Sequence, residues 1–148
     1  GLPRRFFIAK EGSAMSNSKL ISCTLISPNK NSPRNHKIDT ITIHCVVGQC
    51  SAERIGEIFK PTSRQASSNY GIGYDGRIGL YVDEADRSWC SSSAANDNRA
   101  ITIEVASDTK HPYAGMIKHT RRFLILSKIF AAGTGSKSWY GVQARTTA

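Results

Sequence analysis

Thr40-Ile41-Thr42-Ile43-His44-Cys45-Val46-Val47 and Ala100-Ile101-Thr102-Ile103-Glu104-Val105 are the two stretches that decide the fold. Each is rich in β-branched residues and alternates with a period of two, as a strand does. In the first, Ile41, Ile43, Cys45 and Val47 share one face, and Thr40, Thr42, His44 and Val46 the other. In the second, Ile101, Ile103 and Val105 share a face, with Thr102 and Glu104 opposite. Both therefore turn an aliphatic face inward and end with an ionisable side chain on the other. If the strands are parallel neighbours, His44 and Glu104 emerge on the same side of the sheet. Imidazole beside carboxylate suits a metal ligand and a general base. The alternative is two ordinary polar residues on a solvated sheet face, and the pattern alone favours it.

Outward from these strands, Ser51 is placed to cap a short helix with Glu53 in its first turn. Ile55, Ile58 and Phe59 line one side of that helix, and Pro61 stops it. The runs from Tyr70 to Tyr74 and from Ile78 to Val82 flank Asp75-Gly76, which predicts a hairpin with a type I′ turn. Residues 16–37, rich in Ser, Asn and Pro, read as an irregular lead-in. Strands interleaved with helical segments give an α/β class.

The chain has 148 residues, enough for one domain with a real core. Its formal net charge of +9 invites a nucleic-acid or anionic-surface reading. The charge sits at the ends, however. Residues 1–14 carry a net +2, and residues 115–148 hold six bases and no acid, so the middle is near neutral at +1. No apolar run reaches membrane-spanning length. The first seven residues lack an adequate apolar segment and cleavage site, so no signal peptide is expected. Cys23, Cys45, Cys50 and Cys90 form no Cys-x-x-Cys pair, which argues against a zinc knuckle and for reduced thiols in a reducing compartment.

Four motifs occur in order: Thr42-Ile43-His44-Cys45; Asn69-Tyr70-Gly71-Ile72-Gly73-Tyr74-Asp75-Gly76; Asp86-Arg87-Ser88-Trp89-Cys90; and Asn96-Asp97-Asn98-Arg99-Ala100-Ile101-Thr102-Ile103-Glu104. From about Met15 to Ala114 the chain resembles the zinc-dependent N-acetylmuramoyl-L-alanine amidases of the type-2 class, which share their fold with the peptidoglycan recognition proteins and include many phage and prophage endolysins. The resemblance implies a central mixed β-sheet flanked by helices on both faces, incomplete at its C-terminal side. It implies a peptidoglycan hydrolase that cleaves the amide between the lactyl group of muramic acid and the first alanine of the stem peptide. In that family zinc polarises the carbonyl and activates water, and a carboxylate shuttles the proton. By position, His44 matches the first zinc ligand and Glu104 the catalytic acid/base of one branch. Trp89, Asn96, Asp97 and Arg99 match positions around the substrate groove or its supporting loop. Trp89 reads equally well as a core-edge aromatic, and Asn96-Asp97 reads better as a turn that launches the strand.

The chain also departs from the family. Many relatives have His-His where this chain has His44-Cys45, and by alternation Cys45 faces the aliphatic side, which makes it a core residue. The tyrosine of another branch is replaced by Ser68, and the common Trp-His pair is Trp89-Cys90. The family needs two more zinc ligands late in the chain. After Glu104 there are only Asp108, His111 and His119, none in the expected pattern. A catalytic zinc site ordinarily has three protein ligands plus water. One matched ligand predicts an incomplete zinc site and loss of catalysis.

The ends carry expectations of their own. Residues 1–14 read as a non-native leader, because Lys10-Glu11-Gly12 is compatible with a ribosome-binding sequence just upstream of Met15. Residues 115–148 read either as a basic amphipathic helix from Ile117 to Ala132 with a tail, or as out-of-frame sequence. Back-translated with permitted codons and read in a shifted frame, the segment yields a charge-balanced amphipathic helix, which favours the second reading. Residues 15–114 would then be the N-terminal two-thirds of an amidase domain. The expected partner is peptidoglycan, with no nucleic acid and no membrane span. The chain is expected to be a monomer, cytoplasmic on synthesis and acting on the cell wall if released. The rival readings are a non-catalytic peptidoglycan-binding module and a basic nucleic-acid binder driven by the tail.

Overall fold

A computed structural model describes residues 17–107 and the backbone of Gln143–Arg145. The two decisive stretches form β3 (Thr40–Val46) and β7 (Ala100–Ala106). They pair in parallel with no offset, Ile41 with Ile101 through Val46 with Ala106. This is the pairing that their matched Ile-Thr-Ile design favours, because a one-residue slip would turn one aliphatic face over. The other side of β7 pairs in parallel with β4 (Tyr70–Ile72), which pairs antiparallel with β5 (Ile78–Leu80). β1 (Cys23–Thr24) lies parallel to β5, and β8 (Gln143–Arg145) lies parallel to β3. The result is a six-stranded mixed sheet in the order β1-β5-β4-β7-β3-β8. β2 (Lys30–Asn31) and β6 (Arg87–Ser88) make a separate antiparallel pair. The expected α/β class with a central mixed sheet is therefore observed. The lead-in at 16–37 is more structured than its composition suggests, since it supplies β1 and β2. Two-residue strands are too short to leave a periodic signal.

One face of the sheet is a continuous apolar layer. Ile43, Tyr70, Ile72, Ile78, Leu80, Ile101, Ile103 and Val105 are buried together, with Leu20, Ile21, Ile38 and Ile41 packed against them. Each fully buried aliphatic side chain contributes about 1.5–3 kcal/mol. The opposite face is covered by α1 (Ala52–Phe59), which buries Ala52, Ile55, Gly56 and Phe59, the i, i+3, i+4, i+7 stripe of a helix with one inward side. Ser51 caps it as expected, accepting a hydrogen bond from the Arg54 amide at 3.0 Å. Beneath α1 the Tyr81 ring lies across Gly71 and Gly79. A Cβ at Gly71 would stand 2.5 Å from the Tyr81 hydroxyl, so only glycine admits this ring. The hydroxyl donates to the Ala52 carbonyl at 2.5 Å, and Phe59 meets the ring edge-on with centroids 5.9 Å apart.

The hairpin forms where expected, but its turn is not type I′. Gly73 to Gly76 closes a four-residue turn (Gly76 amide to Gly73 carbonyl, 2.8 Å), and Gly76 alone takes a positive φ of 81°. This is a type I turn followed by a left-handed glycine, the arrangement of three-residue hairpin loops. Asp75 instead turns its carboxylate back onto the Arg77 amide at 3.0 Å. Asn96-Asp97, expected as a turn, lies within α2 (Ala94–Arg99), a short helix capped by Ser93 that runs directly into β7.

Two buried polar residues lock the loops onto the sheet. Asn69 is fully buried; its amide donates to the carbonyls of Val82 and Asp83, and its oxygen accepts from the Thr102 amide and hydroxyl. The Arg34 guanidinium donates to the carbonyls of Glu84, Asp86, Asn98 and Ala100. Neither role is visible locally, since each spans tens of residues. No helix among the described residues is long and apolar enough to cross a membrane.

Candidate functional site

His44 and Glu104 are register partners on β3 and β7. Both side chains leave the sheet on the face that carries α1, toward the carboxyl ends of parallel strands, where α/β proteins place their ligands. His44 Nδ1 stands 3.8 Å from Glu104 Oε1. The face is not solvated as the pattern alone favoured: the His44 side chain is 2% exposed and that of Glu104 12%. Burial pushes the Glu104 carboxyl up to about 7, against a partial downward pull from the Cys90 thiol and the Arg64 charge. A carboxyl poised near neutrality is suited to taking up and returning a proton.

The loop from Ser88 to Asp97 delivers a third group to this pair. Asp97 is buried, and its carboxylate accepts from the Cys90 amide at 2.9 Å, the Ser91 amide at 3.1 Å and the Ser91 hydroxyl at 2.6 Å. Asn96 ties the loop to β3, donating to the Thr42 hydroxyl at 3.0 Å and the Ser91 hydroxyl at 3.1 Å. The Ser88 and Thr102 hydroxyls meet at 2.6 Å, which fastens the other end of the loop to β7. So held, Cys90 Sγ donates to Glu104 Oε1 at 3.8 Å. Burial and the neighbouring Glu104 and Asp97 carboxylates push the Cys90 thiol well above its ordinary range. His44, Cys90 and Glu104 each offer a ligand atom, and these atoms all lie within 4.8 Å of one another.

The six residues singled out from sequence divide accordingly. His44 and Glu104 are at the centre, and Asn96 and Asp97 shape the loop over it. Trp89 is half-buried beside that loop, its amide donating to the Ser67 hydroxyl at 3.0 Å and its indole N–H to Asn31 Oδ1 at 2.6 Å. Arg99 lies elsewhere: it is exposed at the start of β7, where it forks onto the Asp39 carboxylate (2.6 Å). Four residues of strand, about 13 Å, separate the Thr40–Ala100 pair there from His44 and Glu104. Cys45 is half-buried and, by alternation, lies on the face opposite His44. Cys90 is the member of the cluster that sequence reasoning did not assign to the site. Its only signal was cysteine in place of histidine after Trp89. Asp108, His111, His119 and the expected helix from Ile117 to Ala132 lie outside the described residues.

Imidazole, thiol and carboxylate are the donor types that zinc takes, so the residues present fit that ion. The sequence profile of the family described as N-acetylmuramoyl-L-alanine amidase matches residues 34–130. No curated protein sequence matches the chain. Among solved structures, the fold is similar to a mutant endolysin from Bacillus subtilis, with 16% identity over 79% of each chain and a TM-score of 0.62. It is also similar to the catalytic domain of XlyA, with 16% identity over 84% of each chain and a TM-score of 0.64. A third similar structure is a Se-Met AmpD derivative, with 14% identity over 86% of this chain and 82% of that one and a TM-score of 0.62.

Proposed function

Because the chain belongs to the N-acetylmuramoyl-L-alanine amidase family, we propose, against the loss of catalysis expected from one matched ligand, that it hydrolyses the amide between N-acetylmuramic acid and the L-alanine of the peptidoglycan stem peptide, with zinc held through His44 and the proton carried by Glu104. The observation that carries this reading is the cross-strand pair: an imidazole and a carboxyl perturbed to near neutrality, 3.8 Å apart at the carboxyl ends of β3 and β7. Zinc, when bound, supplies Lewis acidity to the scissile carbonyl and to water. The rest falls to the chain's own groups. Glu104 accepts a proton from the attacking water and returns it to the alanine nitrogen as the C–N bond breaks, leaving a free amine and a lactyl carboxylic acid that ionises to solvent. His44, buried on the sheet face beside Glu104, would offer a ring nitrogen to the metal. Trp89, next to Cys90 on the loop from Ser88 to Asp97, would flank the glycopeptide, and Asn96 would act by holding the loop to β3.

The test is digestion of purified sacculi by the full chain supplied with zinc, reading new alanine amino termini and soluble stem peptide. Release of both, with a loss of at least about 100-fold in Glu104→Gln at unchanged zinc content, supports the reading. Zinc-loaded protein that retains sacculi without releasing peptide would replace hydrolysis by binding alone. Peptide release that survives Glu104→Gln undiminished would remove Glu104 from the proton path.

A further inference from the structure

We propose that Cys90 is a ligand of the metal bound at His44, so that the loop clamped by Asp97 provides a thiolate arm of the centre. The proposal rests on the zinc reading above and adds a donor which that reading lacks. Three observations carry it.

The first is the spacing. His44 Nδ1 to Glu104 Oε1 is 3.8 Å, beyond hydrogen-bond length for nitrogen and oxygen, and Cys90 Sγ to the same oxygen is also 3.8 Å. Zinc lies about 2.3 Å from sulfur and about 2.1 Å from nitrogen or oxygen, so two donors on one ion stand about 3.6 Å apart at tetrahedral angles and about 4.4 Å at the linear limit. His44 and Cys90, the two ligands, thus flank the same Glu104 oxygen, which leaves Glu104 beside the ion as the proton carrier. The ligand atoms of His44 and Cys90 lie within 4.8 Å of each other, so at most about 1.2 Å has to close to reach the tetrahedral separation.

The second is the clamp. The backbone of Cys90 and Ser91 is fixed by a buried carboxylate that accepts both amides and the Ser91 hydroxyl. Holding two consecutive amides this way fixes where the Cys90 side chain starts, as the supporting groups around metal ligands do. The third is selectivity among the cysteines. Of the four in the chain, Cys90 alone belongs to a described group of three potential ligands.

Thiolate with imidazole favours zinc over magnesium or calcium, which take oxygen donors. On binding, the Sγ–H bond breaks, its electron pair becomes the metal–sulfur donor, and the proton passes to Glu104 Oε1 or solvent.

Cobalt substitution into the full chain, after zinc is stripped with a chelator, tests this. The expected result is one equivalent of Co²⁺ with a sulfur-to-cobalt charge-transfer band. Cys90→Ser should lose the band and bind cobalt at least about tenfold more weakly while keeping its far-ultraviolet circular dichroism. Cys90→His should keep one equivalent without the band, which guards against a Cys90→Ser variant that fails to fold. A band that persists in Cys90→Ser overturns the proposal. One equivalent bound without a band in the unmodified protein, and lost in His44→Ala, overturns Cys90 as ligand yet leaves the zinc reading standing. Cobalt binding unaffected by His44→Ala overturns that reading as well.

Discussion

Replacing Glu104 by glutamine should remove a pH-dependent loss of stability from the metal-free protein. Burial raises the Glu104 carboxyl from 4.5 to about 7. Below about pH 4.5 the group is protonated in both the folded and the unfolded chain and contributes no difference. As the pH rises further, the unfolded chain releases the proton while the folded protein holds it, so stability falls until the folded group also ionises near pH 7. The difference of about 2.5 pH units corresponds to about 3 kcal/mol, at 1.36 kcal/mol per unit. Glutamine is neutral throughout and does not titrate. Urea unfolding in the presence of a chelator, followed by circular dichroism from pH 4 to 8, should show Glu104→Gln gaining on the unmodified protein by about 3 kcal/mol across this range. Saturating zinc should flatten the decline, since a nearby cation favours the ionised carboxylate. A difference between the two proteins that stays constant with pH, or shrinks as the pH rises, would refute the claim that burial governs this group.

Asn69→Ala should cost about 4 kcal/mol of unfolding free energy in the same assay, because it strands the Thr102 amide and two loop carbonyls in a dry interior; a loss under 1 kcal/mol would mean that water replaces the side chain. Gly71→Ala should cost about 2–3 kcal/mol by driving a methyl group into the Tyr81 ring, and much less in a Tyr81→Leu background. Asp97→Ala should loosen the loop that carries Cys90 and weaken zinc binding by about tenfold in a competition titration, a larger effect than Arg99→Ala, whose side chain lies at the other end of the strands.

The legible parts of this protein were those written in short periods. β3 and β7 showed themselves through two-residue alternation, and α1 through Ser51, its apolar stripe and Pro61. The hairpin was marked by Asp75-Gly76, although its turn type was not. The pair type I turn and left-handed glycine uses one positive φ where type I′ needs two, and both accept Asp-Gly. The solvated-face reading of His44 and Glu104 failed for a related reason. Alternation says which side chains share a face, but it does not say what lies over that face.

The sequence by itself determined two strands of matched design, each ending in an ionisable group on the face opposite its aliphatic one; the parallel pairing that makes His44 and Glu104 meet is tertiary. Tertiary structure decided that this side is dry, which moves the Glu104 carboxyl toward neutrality. It also decided that Cys90 joins the pair. Cys90 is brought there by a loop whose shape depends on a buried Asp97 carboxylate collecting hydrogen bonds from residues 90 and 91. Such a loop has no repeat to read, because its conformation is set by satisfying polar groups that only the folded core removes from water.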